Sequence, residues 1–343
     1  MAMAQVRDVA AHAGVSPATV SNALNHPEKV SPVTRARVLT AIKELGYVRN
    51  DAARQLRQRG NRAVGMIVLD VANPFFAGVA QGAELSLAGT QRPLLLGNSA
   101  QQKERELSYL NLFEEQRVSG ILISPVGNVM NRLRQLRKRG TAVVIVDRKS
   151  GEREFSSVST DDIHGGQLAA EHLVARGRRR LAVIGGPGTI RQVADRLSGA
   201  RMVAERREGV TVEYLDTGAM DVESGRRGAH ALMSRPAHQR PDAIFAANDL
   251  VALGALQELV RSGISVPDDI ALMGYDDIVF AVSAAIPLTS VRQPAVEIGS
   301  CAADLLLAAI DDPKVHAEHP MFTPTLVARE STGMESEPAS TPS

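Results

Sequence analysis

The chain lacks the residues that several common chemistries need. A single cysteine, Cys301, occurs in 343 residues. One thiol excludes an internal disulfide framework and any multi-cysteine zinc site. Tryptophan is absent, and there are four tyrosines and seven phenylalanines, so any stacking platform is small. No apolar run approaches the ~20 residues of a membrane span. The first residues, Met1 to Asp8, carry no apolar signal core, which argues against secretion by that route. Net charge is also nearly missing: 39 basic groups face 38 acidic ones, for a total of +1. What remains is ordinary globular composition, 44% hydrophobic and 22% charged. That excludes global disorder and fibrous repeats. At ~100–200 residues per domain, the length points to two or three domains.

The near-zero charge divides unevenly along the chain. Residues 1–62 hold ten basic and four acidic groups, a net +6, and the remainder carries −5. A basic head on an acidic body suits a head that meets a polyanion. Charge alone fits a solvated helical surface equally well.

The head reads as three short helices. Val6, Val9, Ala10 and Ala13 recur at helical spacing. Gly14 then ends the helix, since it reaches positive φ without strain. Ser16 is an N-cap candidate with Pro17 at the first helical position. Val20, Ala23 and Leu24 give the second helix its apolar face. Ser31 and Pro32 open a third helix with Val38, Ile42 and Leu45 inward, and Gly46 closes it. Two helices joined by a tight Gly-Val-Ser turn make a helix-turn-helix. The second helix carries small polar residues (Thr19, Ser21, Asn22, Asn25) where a generic bundle would place a second apolar face. A helix entering a major groove needs such a surface. After it, Asn50 can cap a short helix through Ala53 and Leu56. About two turns is marginal in isolation, so this segment is expected to fold only when something holds it. Residues 57–62 read as its linker.

From Val6 to Asn25 the chain reads VRDVAAHAGVSPATVSNALN. This resembles the headpiece of the lactose-repressor (LacI/GalR) family of bacterial transcription regulators, and Gly46 through Leu56 resembles that family's hinge helix. The resemblance runs to about residue 333. It implies a DNA-facing set of Ser16, Pro17, Ala18, Thr19, Ser21, Asn22 and Asn25 in the head. Asn50, Ala53 and Leu56 would join them in the hinge, with Leu56 as an apolar wedge in the minor groove. Many relatives carry Arg where this chain has Asn22. Arg favours guanine and Asn favours adenine in bidentate contacts, so a different half-site preference is expected.

The body alternates apolar runs with amphipathic stretches. Candidate strands are 64–70, 93–97, 120–124, 142–147, 181–185, 210–215, 243–247 and 270–274. Such alternation implies parallel sheets covered by helices. Eight strands in about 270 residues suit two α/β lobes. The resemblance implies a two-lobed periplasmic-binding-protein-like (type I) fold with a ligand between the lobes. Ligands in open α/β sheets sit beyond strand carboxyl ends. That places Asn73 to Phe76, Asp147 with Arg148, Asn248 with Asp249, and Tyr275 with Asp276 at candidate positions. Arg196 lies in the helix after residues 185–188. Carboxylates, amides and an arginine beside an aromatic suit a hydroxyl-rich or carboxylated small molecule. Each also has a plain structural reading: Asn248 and Asp276 as helix caps, Arg196 as a surface ion pair, Phe75 as core. The resemblance favours Arg196, Asn248 and Asp276 as effector contacts, and adds Phe75, Asp147, Asp161 and Gln293. Relatives often place an aromatic where this chain has Met220, so ring stacking falls to Phe75 or Phe76.

Enzyme signals are thin. The stretch 185–188 is neither a P-loop nor GxGxxG, and no GxSxG or HExxH occurs. Acidic pairs at 161–162, 268–269, 276–277 and 311–312 mimic catalytic dyads, but adjacent carboxylates on loops usually cap helices or face water. No cofactor is expected. The expected division is a headpiece at 1–49 and a hinge and linker at 50–62. An effector-binding and dimerisation domain follows at 63–331, with a disordered tail at 332–343. Within it, lobe 1 takes about 63–161 and 292–322, and lobe 2 about 162–291 and 323–331. The tail lacks the leucine heptads of a tetramerising coiled coil, so a homodimer is expected. The reading is a cytoplasmic, nucleoid-associated repressor of double-stranded operator DNA, answering to a small-molecule effector and not membrane-bound. A transporter's solute-binding protein and an α/β enzyme are the competing classes.

Overall fold

The structure is a computed structural model that describes residues 4–47, 63–151 and 154–333. It separates into two compact units, residues 1–60 and 61–343.

The first unit is a three-helix head: α1 (Val6–Ala13), α2 (Pro17–Asn25) and α3 (Pro32–Glu44). Its core is small and wholly apolar, made of Val9, Ala10, Ala13, Val20, Ala23, Val38 and Ala41. Gly14 ends α1 at φ 62°. A Cβ there would also meet the Arg37 guanidinium at 2.8 Å, the group that bonds the Ala13 carbonyl and ties α3 to the turn. Ser16 Oγ accepts the Thr19 N–H at 3.1 Å, and Ser31 Oγ accepts that of Thr34 at 3.2 Å. Both Ser-Pro pairs therefore start helices, with the serine as cap and the proline where no N–H is needed.

The second unit is built from two six-stranded sheets. The chain lays down β1 (Val64–Val68), α4 (Pro74–Leu87), β2 (Leu94–Asn98), α5 (Lys103–Glu115), β3 (Gly120–Ile123), α6 (Met130–Lys138), β4 (Ala142–Val146) and β5 (Ser156–Thr160). It then crosses to the second lobe through α7 (Asp162–Ala175), β6 (Arg180–Gly185), α8 (Arg191–Glu205), β7 (Thr211–Asp216) and α9 (Val222–Met233). That lobe continues through β8 (Ala243–Ala246), α10 (Asp249–Arg261), β9 (Ala271–Asp276), α11 (Val279–Val282) and β10 (Thr289–Arg292). It returns for α12 (Ala295–Asp311) and β11 (Met321–Phe322), and crosses once more to β12 (Thr325–Val327). The sheet orders are β11-β5-β4-β3-β1-β2 and β12-β10-β9-β8-β6-β7. All pairings are parallel except β12 against β10. The central strands are buried from end to end, as parallel strands covered on both faces must be. In the first lobe α4 and α12 approach backbone to backbone. A Cβ on Gly82 would meet the Val296 carbonyl at 1.9 Å, and one on Gly299 the Val79 carbonyl at 1.9 Å.

Two expectations change. Four strands escape the apolar pattern: β5, β10, β11 and β12. β5 reads Ser-Ser-Val-Ser-Thr yet is fully buried, and two of its hydroxyls are bonded by other parts of the chain. Ser156 Oγ accepts the Glu318 N–H at 3.1 Å, and Ser157 Oγ accepts the Ser150 N–H at 3.0 Å. The second lobe also extends further along the chain than its composition suggests. Ser331 and Thr332 are buried in the second lobe. Ser331 Oγ donates to the Leu272 carbonyl at 2.6 Å, and Thr332 Oγ1 lies 2.7 Å from both His172 Nε2 and Thr289 Oγ1.

Candidate functional site

In the head, α2 turns Val20 and Ala23 into the core. Ser16, Pro17 and Ala18 are exposed at its N-terminus, and Thr19, Ser21 and Asn22 are half-buried along it. Helix starts point backbone N–H groups outward and favour anionic neighbours. The side chain of Asn25, and Asn50, Ala53 and Leu56 altogether, lie outside the described residues.

In the body, polar side chains gather at strand carboxyl ends where the two lobes meet. From the first lobe come Asn73 after β1 and Asp147 after β4, and from the second Arg196 and Gln192 on α8 and Asp276 at the end of β9. Asp162 and Gln293 stand at two of the crossings. All seven are buried. Asn73 Nδ2 donates to Asp276 Oδ2 at 2.8 Å across the lobes, and Gln293 Nε2 donates to Asp276 Oδ1 at 2.8 Å. Gln192 Nε2 donates to the Asp147 carbonyl at 2.6 Å and to its Oδ2 at 2.8 Å, a second cross-lobe link. Arg196 is 4% exposed. Its Nε donates to Asp162 Oδ1 at 2.8 Å, and its guanidinium lies 3.6 Å from the centre of the Tyr275 ring. Phe75 and Phe76 meet edge to face at 5.1 Å. They share one apolar cluster with Leu250 and Ile278 of the second lobe.

The electrostatics are unusual for an interior. Three buried carboxylates, Asp147, Asp162 and Asp276, surround one guanidinium. Burial raises all three, and Arg196 only partly offsets it. Asp147 is pushed up to about 8, by burial first and then by the Asp162 charge. Burial opposes the Arg196 charge, but the Asp162 carboxylate, followed by Tyr275, Asp276 and Asp147, outweighs it and holds the guanidinium above its ordinary range. Asp147 Oδ1 and Gln293 Oε1 find no hydrogen-bond partner among the described residues. Buried orphans are rare and point to a missing partner. Asp147 and Asp276 also leave their strands in the left-handed region, at φ 58° and 101°. Each such non-glycine residue costs roughly 1–3 kcal/mol and is typical of ligand sites. The arrangement offers donors, acceptors and one fixed cation at a buried, apolar-edged seam between the lobes, a combination suited to a polyhydroxylated molecule.

The structure thus brings Phe75, Asp147, Arg196, Asp276 and Gln293 to one place. Asn248 is buried beside it but occupied: its Oδ1 caps α10 at Val251 N, 2.9 Å, and its Nδ2 donates to the Met220 carbonyl at 3.1 Å. Asp161 is half-buried and caps α7 through the His164 N–H at 3.0 Å. Its neighbour Asp162, read with it as a capping or solvated pair, is the Arg196 partner instead. Successive helix residues point about 100° apart, so one carboxylate caps while the next faces inward. Gln192 was also missed. Its one sequence signal is its place four residues before Arg196, on the same helix face. Among the described residues no His, Cys, Asp and Glu group together as metal ligands, and no helix is long and apolar enough to cross a membrane.

Known proteins match both units. Residues 5–50 fit the model of bacterial regulatory proteins of the lacI family, and residues 170–332 fit a periplasmic binding protein-like domain. The ribose operon repressor of Bacillus subtilis is 34% identical over 97% of this chain and its own whole length. The HTH-type transcriptional repressor CytR of Escherichia coli is 32% identical over 96% of each chain. Among solved structures, the lac repressor dimer bound to operator and an anti-inducer superposes with a TM-score of 0.78 at 26% identity, covering 96% of this chain and 99% of that one. A regulator from Enterococcus faecalis with bound ribose gives 0.71 at 29%, covering 79% and 98%. A helix-turn-helix head, a two-lobed body and relatives that match end to end agree, and the chain belongs to the lacI family of bacterial regulatory proteins.

Proposed function

We propose that this protein is a transcriptional repressor that binds a pseudo-palindromic operator as a dimer and responds to a pentose sugar, D-ribose first among candidates. The observation that carries the effector side is the buried cross-lobe ring of Asn73, Asp147, Gln192, Arg196, Asp276 and Gln293. Its amides, carboxylates and guanidinium suit a small polyol, with Phe75 and Phe76 against its C–H faces. The ribose operon repressor and the ribose-bound regulator among the relatives support the pentose. Asn248 and Asp161 then act on the effector through the helices they cap. For the operator, Ser16, Pro17, Ala18, Thr19, Ser21, Asn22 and Asn25 read or position the major groove, and Asn50, Ala53 and Leu56 the minor groove.

On α11, Val279, Phe280 and Val282 are more than half exposed, an apolar edge that supports a homodimer. The protein works in the cytoplasm on the nucleoid, by binding and not by catalysis. Effector and operator affinities are linked, so each changes the other by the same factor. Selection of genomic fragments by the purified full-length protein tests the reading. Enrichment of a pseudo-palindrome whose affinity changes at least about fivefold with D-ribose is the expected result. A ribose-indifferent complex removes ribose alone, while failure to enrich any site removes the repressor.

A further inference from the structure

The turn after β9 passes through two consecutive non-glycine residues in the left-handed region, Asp276 at φ 101° and Asp277 at φ 53°. Such backbone persists only where its surroundings over-determine it. The group that holds it is Asp249, the first residue of α10, whose side chain takes no part in the cross-lobe ring and is 0% exposed. Asp249 Oδ2 accepts the Ile278 N–H at 2.8 Å. Its Oδ1 accepts the Ser290 hydroxyl at 2.7 Å, and Ser290 Oγ in turn accepts the Asp277 N–H at 3.0 Å. Both amides that follow Asp276 are therefore pinned by one carboxylate, one directly and one through a hydroxyl. Strand pairing sets Ser290 opposite Gly274. Only glycine leaves room there, since a Cβ on Gly274 would come within 2.0 Å of Asp249 Oδ1. On the outer side, the Asp277 carboxylate pairs with Arg292 and with Arg329, each at 2.7 Å.

Helix capping does not account for Asp249, because Asn248 already caps α10. Burial and the nearby Asp276 charge hold the Asp249 carboxyl well above its usual range, so an apolar residue would suit the lobe core better.

We propose that Asp249, acting through Ser290, is a positioning residue for effector recognition: it locks the left-handed turn that delivers the Asp276 carboxylate to Asn73 and Gln293. This rests on the reading that the effector is held at Asp276. The Asp249→Asn variant keeps one acceptor for Ile278 and loses the one Ser290 needs. Ser290→Ala removes the relay alone, and serves if Asp249→Asn fails to fold.

The test is calorimetric titration of D-ribose into the full-length protein, its Asp249→Asn, Ser290→Ala and Asp276→Asn variants, and the doubles with Asp276→Asn. A positioning role weakens ribose binding at least about tenfold in either single variant. On the Asp276→Asn background the same change then adds less than about twofold, since both act through one carboxylate. Losses that multiply, or unchanged affinity, overturn it, because a merely structural role has no reason to saturate. If the wild-type protein does not bind D-ribose, the ribose reading fails on its own. Crystal structures of the wild-type and Ser290→Ala proteins then decide the positioning. An Asp276 carboxylate out of hydrogen-bond reach of Asn73 and Gln293 supports it, and an unmoved one refutes it.

Discussion

Head and body place their charge in opposite ways. The head holds +6 over residues 1–62, and its described core contains no polar or charged side chain. The body holds −5 overall and buries Asp147, Asp162, Arg196, Asp249 and Asp276. Surface charge acts at long range and is screened by salt, which suits attraction to a polyanion. Buried charge acts at short range in a low-dielectric setting, where one hydrogen bond made or missed matters more. In the proposed function the head's electrostatics therefore provide affinity, and the body's provide discrimination between small ligands.

The largest test of that division is deletion. Removing residues 1–62 is expected to abolish operator binding in a shift assay and leave D-ribose affinity within about threefold by calorimetry. A body that bound operator by itself would break the comparison.

Next comes the buried ion pair. Arg196→Ala leaves the Asp162 carboxylate buried and uncompensated, and should destabilise the body by roughly 3–5 kcal/mol in urea unfolding. Removing an exposed head arginine such as Arg35 should cost under about 0.5 kcal/mol. Similar costs would mean that head and body use charge alike.

Leu56→Ala sharpens the contrast inside the DNA-binding segment. Specific operator affinity should fall about a hundredfold through the lost minor-groove wedge, with salt-sensitive non-specific binding retained. Unchanged specific affinity would remove the wedge.

The pH dependence separates the units further. The Asp147 carboxyl, raised to about 8 in the folded protein, binds its proton more tightly folded than unfolded. Its contribution to stability is therefore lost as pH rises from about 4 to about 8. Asp147→Asn should stabilise the body at pH 8.5 by at least about 1.4 kcal/mol, one pKa unit's worth, and by much less at pH 5. Equal effects at both pH values would refute the raised carboxyl. A smaller effect is expected at the head's own helix cap. Ser16→Ala removes the α2 cap and should cost about 1 kcal/mol of head stability, seen in its thermal transition but not in the body's.

Much of the fold was legible because its signals are local. Ser-Pro starts, glycine stops and apolar runs for the central strands lie within single turns or strands of sequence. β5 and β10 were not legible, because their partners arrive from elsewhere in the chain. The Ser156 hydroxyl is satisfied by Glu318 N, that of Ser290 by Asp249 and Asp277. The site was half legible for the same reason. Asp276 stands out as a strand-end polar residue, and Arg196 through the family resemblance. Asp162 and Gln192 look like ordinary helix residues until the fold sets them against Arg196 and Asp147.

The sequence by itself determined the helix-turn-helix, the alternation of strands and helices, and the uneven charge hidden within a total of +1. Those follow from spacing, caps and composition. The tertiary structure alone decided which of two adjacent carboxylates faces inward. It also decided that Thr332 belongs to the second lobe, and that one buried aspartate pins the turn beneath Asp276. These depend on contacts between residues tens to hundreds of positions apart, and burial sets their strength only once those contacts form.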